Sequence, residues 1–333
     1  MSPAAPDPDH AHAATPGAIT AADVMAARAR LAGRLRRTPL LETTLDTVGG
    51  PVDVVFKLEY TQLGGCFKVR GSLNAVLDAD ARDALPEAGV LVASGGNAAL
   101  GAAWAARLVD VPATVVVPET APAVKVSALR SLGATVRLIG TRYQESADAA
   151  AAQAADSGAL LLHAYDLPTI VAGAGTIGLE VAEDLPGRRL QTVACVGGGG
   201  LLAGLAATLR PGDRLIGAEP IGASCLHQAR TAGEPVTVEL DSIAADSLGA
   251  SRVGGICWAT IADRAVDSVV VDDADLVAAR RMMWDRFRIV IEHGTATAVA
   301  AVTTGAVEPT ADSTLCIVLC GANTRLDDLH PAQ

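Results

Sequence analysis

The sequence predicts an α/β fold in which helices cover largely parallel sheets. Half of the 333 residues are hydrophobic, so a large core is available, but only 3% are aromatic and the small aliphatic residues must fill it. Val-rich runs alternate with Ala-rich runs, often with a glycine turn between them, as in residues 90–108. Buried strands that alternate with helices in this way are typical of parallel sheets.

The first part of the chain contains a tail, a helix and a strand. Residues 1–18 are rich in Ala, Pro, Asp and His without apolar periodicity, which indicates a disordered tail. Thr20 is a suitable N-cap for a helix over residues 21–35. The apolar run 52–56 is typical of a strand, and we expect another helix from Gly71 onward.

Strands and helices then alternate to the end of the chain, except in the glycine-rich segment 230–260, which has no clear pattern. We expect residues 85–160 to form a small domain and residues 19–84 plus 161–333 to form a large one. The predicted strands are 90–93, 113–117, 135–139, 160–163, 191–196, 214–218, 269–271 and 314–319, and the predicted helices are 98–108, 123–132, 143–157, 173–183, 201–209, 273–287 and 295–304.

Composition and charge exclude several classes of protein. The formal net charge is −11, which argues against nucleic acid as a partner because nucleic-acid-binding surfaces are usually basic. The six cysteines are scattered without the spacings of zinc sites, which fits a reducing compartment. The sequence has no signal-peptide pattern and no apolar span of about 20 residues. We therefore expect a cytoplasmic protein without membrane segments.

The most informative stretch surrounds Lys68. This residue follows the glycine pair Gly64-Gly65 and stands beside the aromatic Phe67. In an apolar cleft the charged form of a lysine is disfavoured, so its pKa falls. The neutral amine can then form a Schiff base with an aldehyde. The stretch predicts either this chemistry or a loop lysine without a chemical role.

A second informative stretch is the glycine run Gly197, Gly198, Gly199 and Gly200, which separates a predicted strand from a helix that begins at Leu201. Backbone N–H groups in such a turn can surround an anion, and the start of the helix adds a partial positive charge. A phosphate group is the expected ligand. The alternative is a tight strand-to-helix turn with no ligand.

The same turn permits a different functional interpretation. Gly198-x-Gly200-x-x-Ala203 matches the dinucleotide fingerprint, and Glu219 lies roughly 20 residues further on, where a ribose-binding carboxylate is expected. This alternative is an NAD(P)-dependent oxidoreductase. The fingerprint usually opens its domain, whereas this one lies in the middle of the chain and leaves Lys68 without a role.

The segment Cys66-Phe67-Lys68-Val69-Arg70-Gly71 resembles the Ser-Phe-Lys-x-Arg-Gly signature of the serine/threonine dehydratase and serine racemase family, with Cys66 in place of serine. Members of this family are fold-type II enzymes that use pyridoxal 5′-phosphate (PLP). The resemblance covers about residues 20–325. It implies two α/β lobes of the kind found in tryptophan synthase β, with PLP in the cleft and the large domain as the PLP-binding domain.

The resemblance also implies the contacts of the cofactor. Lys68, next to Phe67, would form the Schiff base, and the glycine run through Leu201 would hold the phosphate. Cys320, at the end of the last apolar strand, matches the residue that meets the ring nitrogen. A neutral partner there leaves the ring a weaker electron sink. Glu292 matches a carboxylate near the cofactor edge; a helix-capping role for Glu292 and a core position for Cys320 are the alternatives.

The segment Ser94-Gly95-Gly96-Asn97 resembles the Ser-x-Gly-Asn-His loop of the same family. In the family this loop binds the substrate carboxylate, and its Asn donates a hydrogen bond to the 3′ oxygen of PLP. The resemblance implies these roles for Ser94, Gly95, Gly96 and Asn97. Serine racemases have a second serine at the position of Gly95, so its absence argues against racemisation. Ala98 replaces the usual His.

Glu219 and Ala223 match two parts of a divalent-metal site that some family members have. The third ligand in those members is Asp, and Cys225 stands in its place. Mg²⁺ and Ca²⁺ prefer oxygen ligands. We therefore expect no bound metal at this degenerate site.

The resemblance implies a PLP-dependent lyase that acts on a small amino acid. It would convert L-threonine, L-serine or a related 3-hydroxy amino acid to a 2-oxo acid and ammonia by α,β-elimination, with Lys68 as the general base. The alternatives within the same fold are a racemase and a β-replacement enzyme. Members of the family are often dimers or tetramers, which implies a homo-oligomer.

Overall fold

The computed structural model describes residues 17–326 and 329, so almost all of the predicted tail lies outside the described residues. Strands and helices alternate as expected, and the α/β class with helix-flanked, largely parallel sheets is confirmed. The strands are β1 Leu40–Thr47, β2 Gly50–Lys57, β3 Val90–Ala93, β4 Ala113–Val117, β5 Thr135–Leu138, β6 Leu160–Leu162, β7 Leu190–Cys195, β8 Arg214–Pro220, β9 Val266–Val271 and β10 Thr314–Val318. The helices are α1 Ala21–Leu31, α2 Lys68–Ala81, α3 Asn97–Val109, α4 Ala123–Ser131, α5 Tyr143–Ser157, α6 Pro168–Asp184, α7 Gly200–Ala206, α8 Cys225–Ala232, α9 Ala245–Leu248, α10 Gly255–Ile261, α11 Asp273–Phe287 and α12 His293–Thr303.

The larger sheet has the strand order β1-β2-β10-β7-β8-β9. β1 and β2 form an antiparallel hairpin at one edge, and the other neighbours are parallel. The central strand β7 is buried along its whole length, as expected for a strand with helices on both faces. Because parallel strands share a direction, the segments that follow β2, β7 and β10 emerge at the same edge.

The smaller sheet has the order β5-β4-β3-β6 and is parallel throughout. Its strands lie within residues 90–162. Helix α2 precedes this range, yet Leu73 and Val76 of α2 are buried in the same hydrophobic cluster as Val92 of β3. Lys68, the first residue of α2, therefore starts a helix that packs against the smaller sheet. The exact domain bounds stay a prediction.

Several element boundaries differ from those expected. The sequence did not predict β1. This strand lies at the edge of its sheet, where buried and exposed residues alternate only weakly, so its sequence lacks a clear strand pattern. α2 begins at Lys68 and not at Gly71. α6 begins at Pro168, before the expected start at Gly173, since proline suits the first turn of a helix. Gly173 packs directly against the backbone of α2, where a Cβ atom would overlap the carbonyl group of Arg70.

Among residues 17–326 and 329, no helix is both long enough and apolar enough to cross a membrane.

Candidate active site

One cavity of about 540 Å³ brings together every residue that the sequence predicts for cofactor and substrate binding. Much of its wall consists of segments that follow the carboxyl ends of strands in both sheets, which is where ligands bind in open α/β sheets, while Glu292 comes from the connection between α11 and α12. The predicted residues in this wall are Phe67, Lys68, Ser94, Gly95, Gly96, Asn97, Gly197, Gly198, Gly199, Gly200, Leu201, Glu292 and Cys320.

Lys68 stands at the start of α2 with its amine at the cavity wall. The Nζ atom donates a hydrogen bond to the carbonyl oxygen of Ala164 at 2.9 Å. Burial lowers the pKa of Lys68 from its usual range, although the nearby groups of Cys66 and Cys320 oppose the shift. The amine therefore loses its proton more easily than an exposed lysine does, which suits a nucleophile or a base.

A buried ionic network fixes the start of α2. Arg70 donates to both carboxylate oxygens of Glu59 at 2.7 and 2.8 Å, and to both oxygens of Glu180 at 2.7 and 2.9 Å. Lys57, which is fully buried, donates to Glu180 at 2.6 Å. Two cations and two carboxylates thus balance, as buried charges require. The arginine of the Phe-Lys-Val-Arg-Gly segment orients the helix that carries Lys68.

The glycine run forms the turn between β7 and α7. A Cβ atom at Gly198 would overlap the ring of Tyr165, and one at Gly200 would overlap the backbone of Tyr165. Gly199 has a φ of +89°, in the left-handed region that favours glycine. Side chains are therefore excluded from this turn, and its backbone lines the cavity directly.

The segment from Ser94 to Asn97 connects β3 with α3, so its backbone lies at the start of a helix. The Ser94 hydroxyl oxygen accepts a hydrogen bond from the N–H of Gly96 at 3.2 Å. The first N–H groups of a helix have no partner within that helix and favour anions. A carboxylate is a suitable ligand for this part of the wall.

Asn97 and Glu292 join the two sides of the cavity. The Nδ2 atom of Asn97 donates to the two carboxylate oxygens of Glu292 at 2.8 and 3.0 Å. Glu292 precedes the first residue of α12 and is almost completely buried. Burial raises the pKa of Glu292 to about 7, although the hydrogen bond from Asn97 favours the charged form. Glu292 can therefore change its protonation near neutral pH.

Cys320 lies in the cavity wall next to a second cysteine. Its Sγ atom is 3.3 Å from the Sγ atom of Cys195 and 3.1 Å from the hydroxyl of Thr295. The contact with Cys320 and burial raise the pKa of Cys195 well above the usual thiol value. Cys195 is therefore a neutral thiol, and no carboxylate takes the position that Cys320 occupies.

Glu219 and Ala223 lie outside this cavity wall. The Glu219 carboxylate accepts hydrogen bonds from the N–H groups of Leu226 and His227, both at 2.8 Å, at the start of α8. Burial raises the pKa of Glu219 to about 7. Within the described part of the chain, no group of three or more His, Cys, Asp or Glu residues is arranged to hold a metal ion.

Three residues that contact the site were not among those predicted from the sequence. Tyr165 packs against the glycine turn, Cys195 contacts Cys320, and Asn323 donates to Asn97 at 2.8 Å. Cys195 is the last residue of β7 and lies two residues before the glycine run, so its position beside that run was a usable signal. Asn323 lies 226 residues from Asn97 in the sequence, and no local pattern predicts their contact.

The wall of the cavity fits a pyridoxal-type cofactor. Lys68 supplies an amine with a lowered pKa, and Cys320 supplies a sulfur atom where no carboxylate is present. The turn from Gly197 to Gly200 packs against Tyr165, which also lines the cavity, and the turn itself presents only backbone there. An aldehyde, an aromatic ring and a phosphate would each find a matching group in one site.

Curated proteins of known name resemble this chain over most of its length. An L-threonine ammonia-lyase of Geobacter sulfurreducens is 36% identical over 88% of this chain and 73% of its own. A serine racemase of Arabidopsis thaliana is 32% identical over 93% and 95%. A phenylserine dehydratase of Ralstonia pickettii is 34% identical over 89% and 91%. The threonine ammonia-lyase relatives confirm the predicted class, a PLP-dependent lyase similar to threonine and serine dehydratases.

A family model described as pyridoxal-phosphate dependent enzyme matches residues 31–321. The structure of maize serine racemase superposes with a TM-score of 0.85 and 29% identity, covering 94% of this chain and 96% of the maize chain. The predictions of fold-type II architecture and of PLP as the cofactor are thereby confirmed. The chain belongs to the family of pyridoxal-phosphate-dependent enzymes, within its serine/threonine dehydratase and serine racemase group.

Proposed function

We propose that this enzyme removes water from a small 2-amino-3-hydroxy acid and releases a 2-oxo acid and ammonia. The observation that carries the proposal is the convergence of Lys68, the Ser94–Asn97 loop and Cys320 on one cavity, with glycine at position 95. L-Threonine and L-serine are the proposed substrates, in line with the names of the relatives.

Lys68 is the proposed anchor of the cofactor and the proposed base. Bound PLP supplies an electron sink that stabilises negative charge at the substrate Cα atom. Because burial lowers the pKa of Lys68, its amine would be available to take the substrate Cα proton. The carbonyl of Ala164 accepts a hydrogen bond from this amine and holds it at the cavity wall.

The loop from Ser94 to Asn97 is the proposed binding site of the substrate carboxylate. The start of α3 and the Ser94 hydroxyl offer hydrogen-bond donors and a partial positive charge to an anion. This contact would place the Cα atom at a fixed distance from Lys68. Correct orientation of the reacting bond is a large part of catalysis in such sites.

Cys320 supports elimination over reactions that need a long-lived carbanion. Cys320 lines the cavity and would offer bound PLP a neutral partner where a carboxylate would be a charged one, which would make the ring a weaker electron sink. Such a site would favour loss of the β-hydroxyl over a long-lived negative charge at Cα. The partners of Cys320 are the uncharged Thr295 hydroxyl and the Cys195 thiol, which keep this environment neutral.

Racemisation is the second candidate, because serine racemases are among the relatives. A racemase needs a second acid or base on the face of the substrate opposite Lys68. Gly95 has no side chain for this task, and its position faces Val117, a residue without a titratable group. We therefore rank elimination above racemisation.

The test is a substrate screen of the purified protein with added PLP. L-Threonine, L-serine and L-phenylserine are each incubated with enzyme, and 2-oxo acid and ammonia are measured together. The proposal predicts equal amounts of both products and no D-amino acid. Formation of D-serine without ammonia would replace the proposal with racemisation, and the absence of 2-oxo acid and ammonia with all three substrates would contradict it.

A further inference from the structure

Asn323 connects the segment before Lys68 with two residues of the cavity wall. Its Nδ2 atom donates to the carbonyl oxygen of Gly64 at 2.7 Å and to the Oδ1 atom of Asn97 at 2.8 Å. The backbone of Asn323 also lies close enough to the Glu292 carboxylate to favour its charged form. One residue near the end of the described chain therefore contacts the segment before Lys68 and both members of the Asn97–Glu292 pair.

The chain around Asn323 runs beside the segment that leads into Lys68. The N–H of Phe67 donates to the carbonyl of Cys320 at 3.0 Å, and the N–H of Ala322 donates to the carbonyl of Gly65 at 3.0 Å. An isolated antiparallel bridge between Cys66 and Gly321 lies between these bonds. The side chain of Asn323 adds one more bond to this ladder, to the carbonyl of Gly64. Its position is therefore fixed by that bond and by the backbone bond of the preceding residue, Ala322.

These contacts determine which way the amide of Asn97 faces. An Asn side chain can turn over by 180°, which exchanges its oxygen acceptor with its nitrogen donor. Asn323 offers a donor to one side of Asn97, and Glu292 offers two acceptors to the other. In the opposite orientation the Asn97 oxygen would face a carboxylate and its nitrogen would face another N–H₂ group. Asn323 and Glu292 together therefore allow one orientation.

We propose that Asn323 is a positioning residue of the active site, which holds the Asn97 amide so that its N–H₂ group faces the bound cofactor. The inference rests on the proposed role of Asn97 as the donor to the 3′ oxygen of PLP. The Nδ2 atom of Asn97 lies 2.8 and 3.0 Å from the two oxygens of one carboxylate, so a single N–H can be shared between them. In the proposed arrangement the second N–H serves the cofactor beside Lys68.

A double-mutant cycle between Asn323 and Asn97 tests this proposal. The four proteins are wild type, Asn323→Ala, Asn97→Ala and the double variant. For each, the PLP dissociation constant is measured by equilibrium dialysis, and the visible absorbance of bound PLP is titrated with pH. Loss of one oriented hydrogen bond predicts a PLP dissociation constant about tenfold higher in each single variant. Because Asn323 acts through Asn97, the double variant should equal Asn97→Ala in both measurements.

Asn323→Asp provides a second, isosteric variant in case Asn323→Ala does not fold. It places a carboxylate against the oxygens of Asn97 and Gly64, so it should weaken PLP binding at least as much as the alanine variant. Asn74 is the matched control, since it is a buried amide on α2 that donates to Thr169 at 2.7 Å and does not line the cavity. Asn74→Ala should change neither PLP affinity nor the absorbance titration.

Two results would overturn the proposal. One is an Asn323→Ala or Asn323→Asp variant with wild-type PLP affinity and wild-type absorbance titration. The other is full additivity of Asn323→Ala with Asn97→Ala, which would mean that Asn323 acts on PLP without Asn97. Failure of the proposed function has a different signature, because Asn97→Ala itself would then leave PLP binding unchanged.

Discussion

The Nζ atom of Lys68 lies 2.9 Å from the carbonyl oxygen of Ala164, just beyond the end of β6. The contact joins the helix that starts at Lys68 to the segment that leads from the smaller sheet to α6. A neutral carbonyl oxygen stabilises an ammonium group less than a carboxylate in the same place would. The pKa of Lys68 is lowered because burial outweighs the nearby groups that favour the charged form, Cys66 and Cys320 among them.

Glu292→Gln should change the pH dependence of both stability and catalysis. Burial raises the pKa of Glu292 from 4.5 to about 7, so the folded protein binds this proton more tightly than the unfolded chain does. The free energy of unfolding should therefore fall as pH rises from about 5 to about 7, by on the order of 3 kcal/mol for this group. Glu292→Gln should remove this contribution, as measured by urea unfolding at pH 5 and pH 8 without added cofactor.

Glu219→Gln is the matched control for the effect of Glu292→Gln on catalysis. Burial also raises the pKa of Glu219 to about 7, so it contributes to the same fall in stability. Glu219 does not line the cavity, and we expect its variant to keep the wild-type pH profile of kcat/KM. Glu292→Gln should alter that profile near pH 7. An unchanged profile in Glu292→Gln would show that Glu292 does not influence the reaction.

Gly198→Ala should weaken PLP binding. Its Cβ atom would overlap the ring of Tyr165, and overpacking of this kind costs about 1–3 kcal/mol. If the turn gives way, its backbone moves relative to the phosphate, and the PLP dissociation constant should rise about tenfold or more. Gly49→Ala, where the nearest atom is 3.7 Å away, is the control and should bind PLP normally. Normal PLP affinity in Gly198→Ala would contradict the proposed phosphate site.

Arg70→Met should destabilise the protein strongly. It removes the ion pair of the buried Glu59 carboxylate and leaves Glu180 paired with Lys57, and breaking a buried ion pair costs about 3–5 kcal/mol. Arg70→Lys should also destabilise, since lysine cannot form the paired bonds to a carboxylate. The measurement is the free energy of unfolding in urea.

The exposed pair Arg214–Asp267 is the control for Arg70. Arg214→Met removes an ion pair at the surface, which is worth about 1 kcal/mol or less. If Arg70→Met cost no more than Arg214→Met, the ionic network would not be what holds the start of α2.

Gly95→Ser should add racemisation to the proposed elimination. A Cβ atom at Gly95 would lie 3.7 Å from Val117, an ordinary contact, so the loop can accept the side chain. The new hydroxyl could return a proton to the face of the substrate opposite Lys68. Chiral chromatography of L-serine incubations should then show D-serine. Gly95→Ala has the same Cβ atom without the hydroxyl, and D-serine formation by both variants alike would contradict this explanation.

The sequence predicted those parts of the site that local patterns encode. Lys68 and the glycine run each stand at a strand-to-helix turn, where residue types and spacing restrict the backbone strongly. The long, regular helices over 143–157 and 273–287 were predicted with the bounds that the structure has. The local sequence is sufficient to predict such helices because their buried residues recur at intervals of a few positions.

Contacts between distant segments could not be predicted in this way. Cys195 and Cys320 are 125 residues apart, and Asn97 and Asn323 are 226 apart, so both contacts depend on the strand order β10-β7 and on the pairing of the two lobes. The carboxyl of Glu219 shows a further limit. Its sequence context matches both a ribose ligand and a metal ligand, whereas in the fold it accepts bonds from the start of α8.

The most direct test of the account is the absorbance spectrum of the protein with PLP, before and after reduction with borohydride, followed by mass mapping of the modified peptide. The account predicts a band near ~410 nm that borohydride removes, with the reduced adduct on Lys68. Lys68→Ala should give neither the adduct nor 2-oxo acid. An adduct on another lysine, or turnover of threonine or serine by Lys68→Ala at the wild-type rate, would contradict the central role of Lys68.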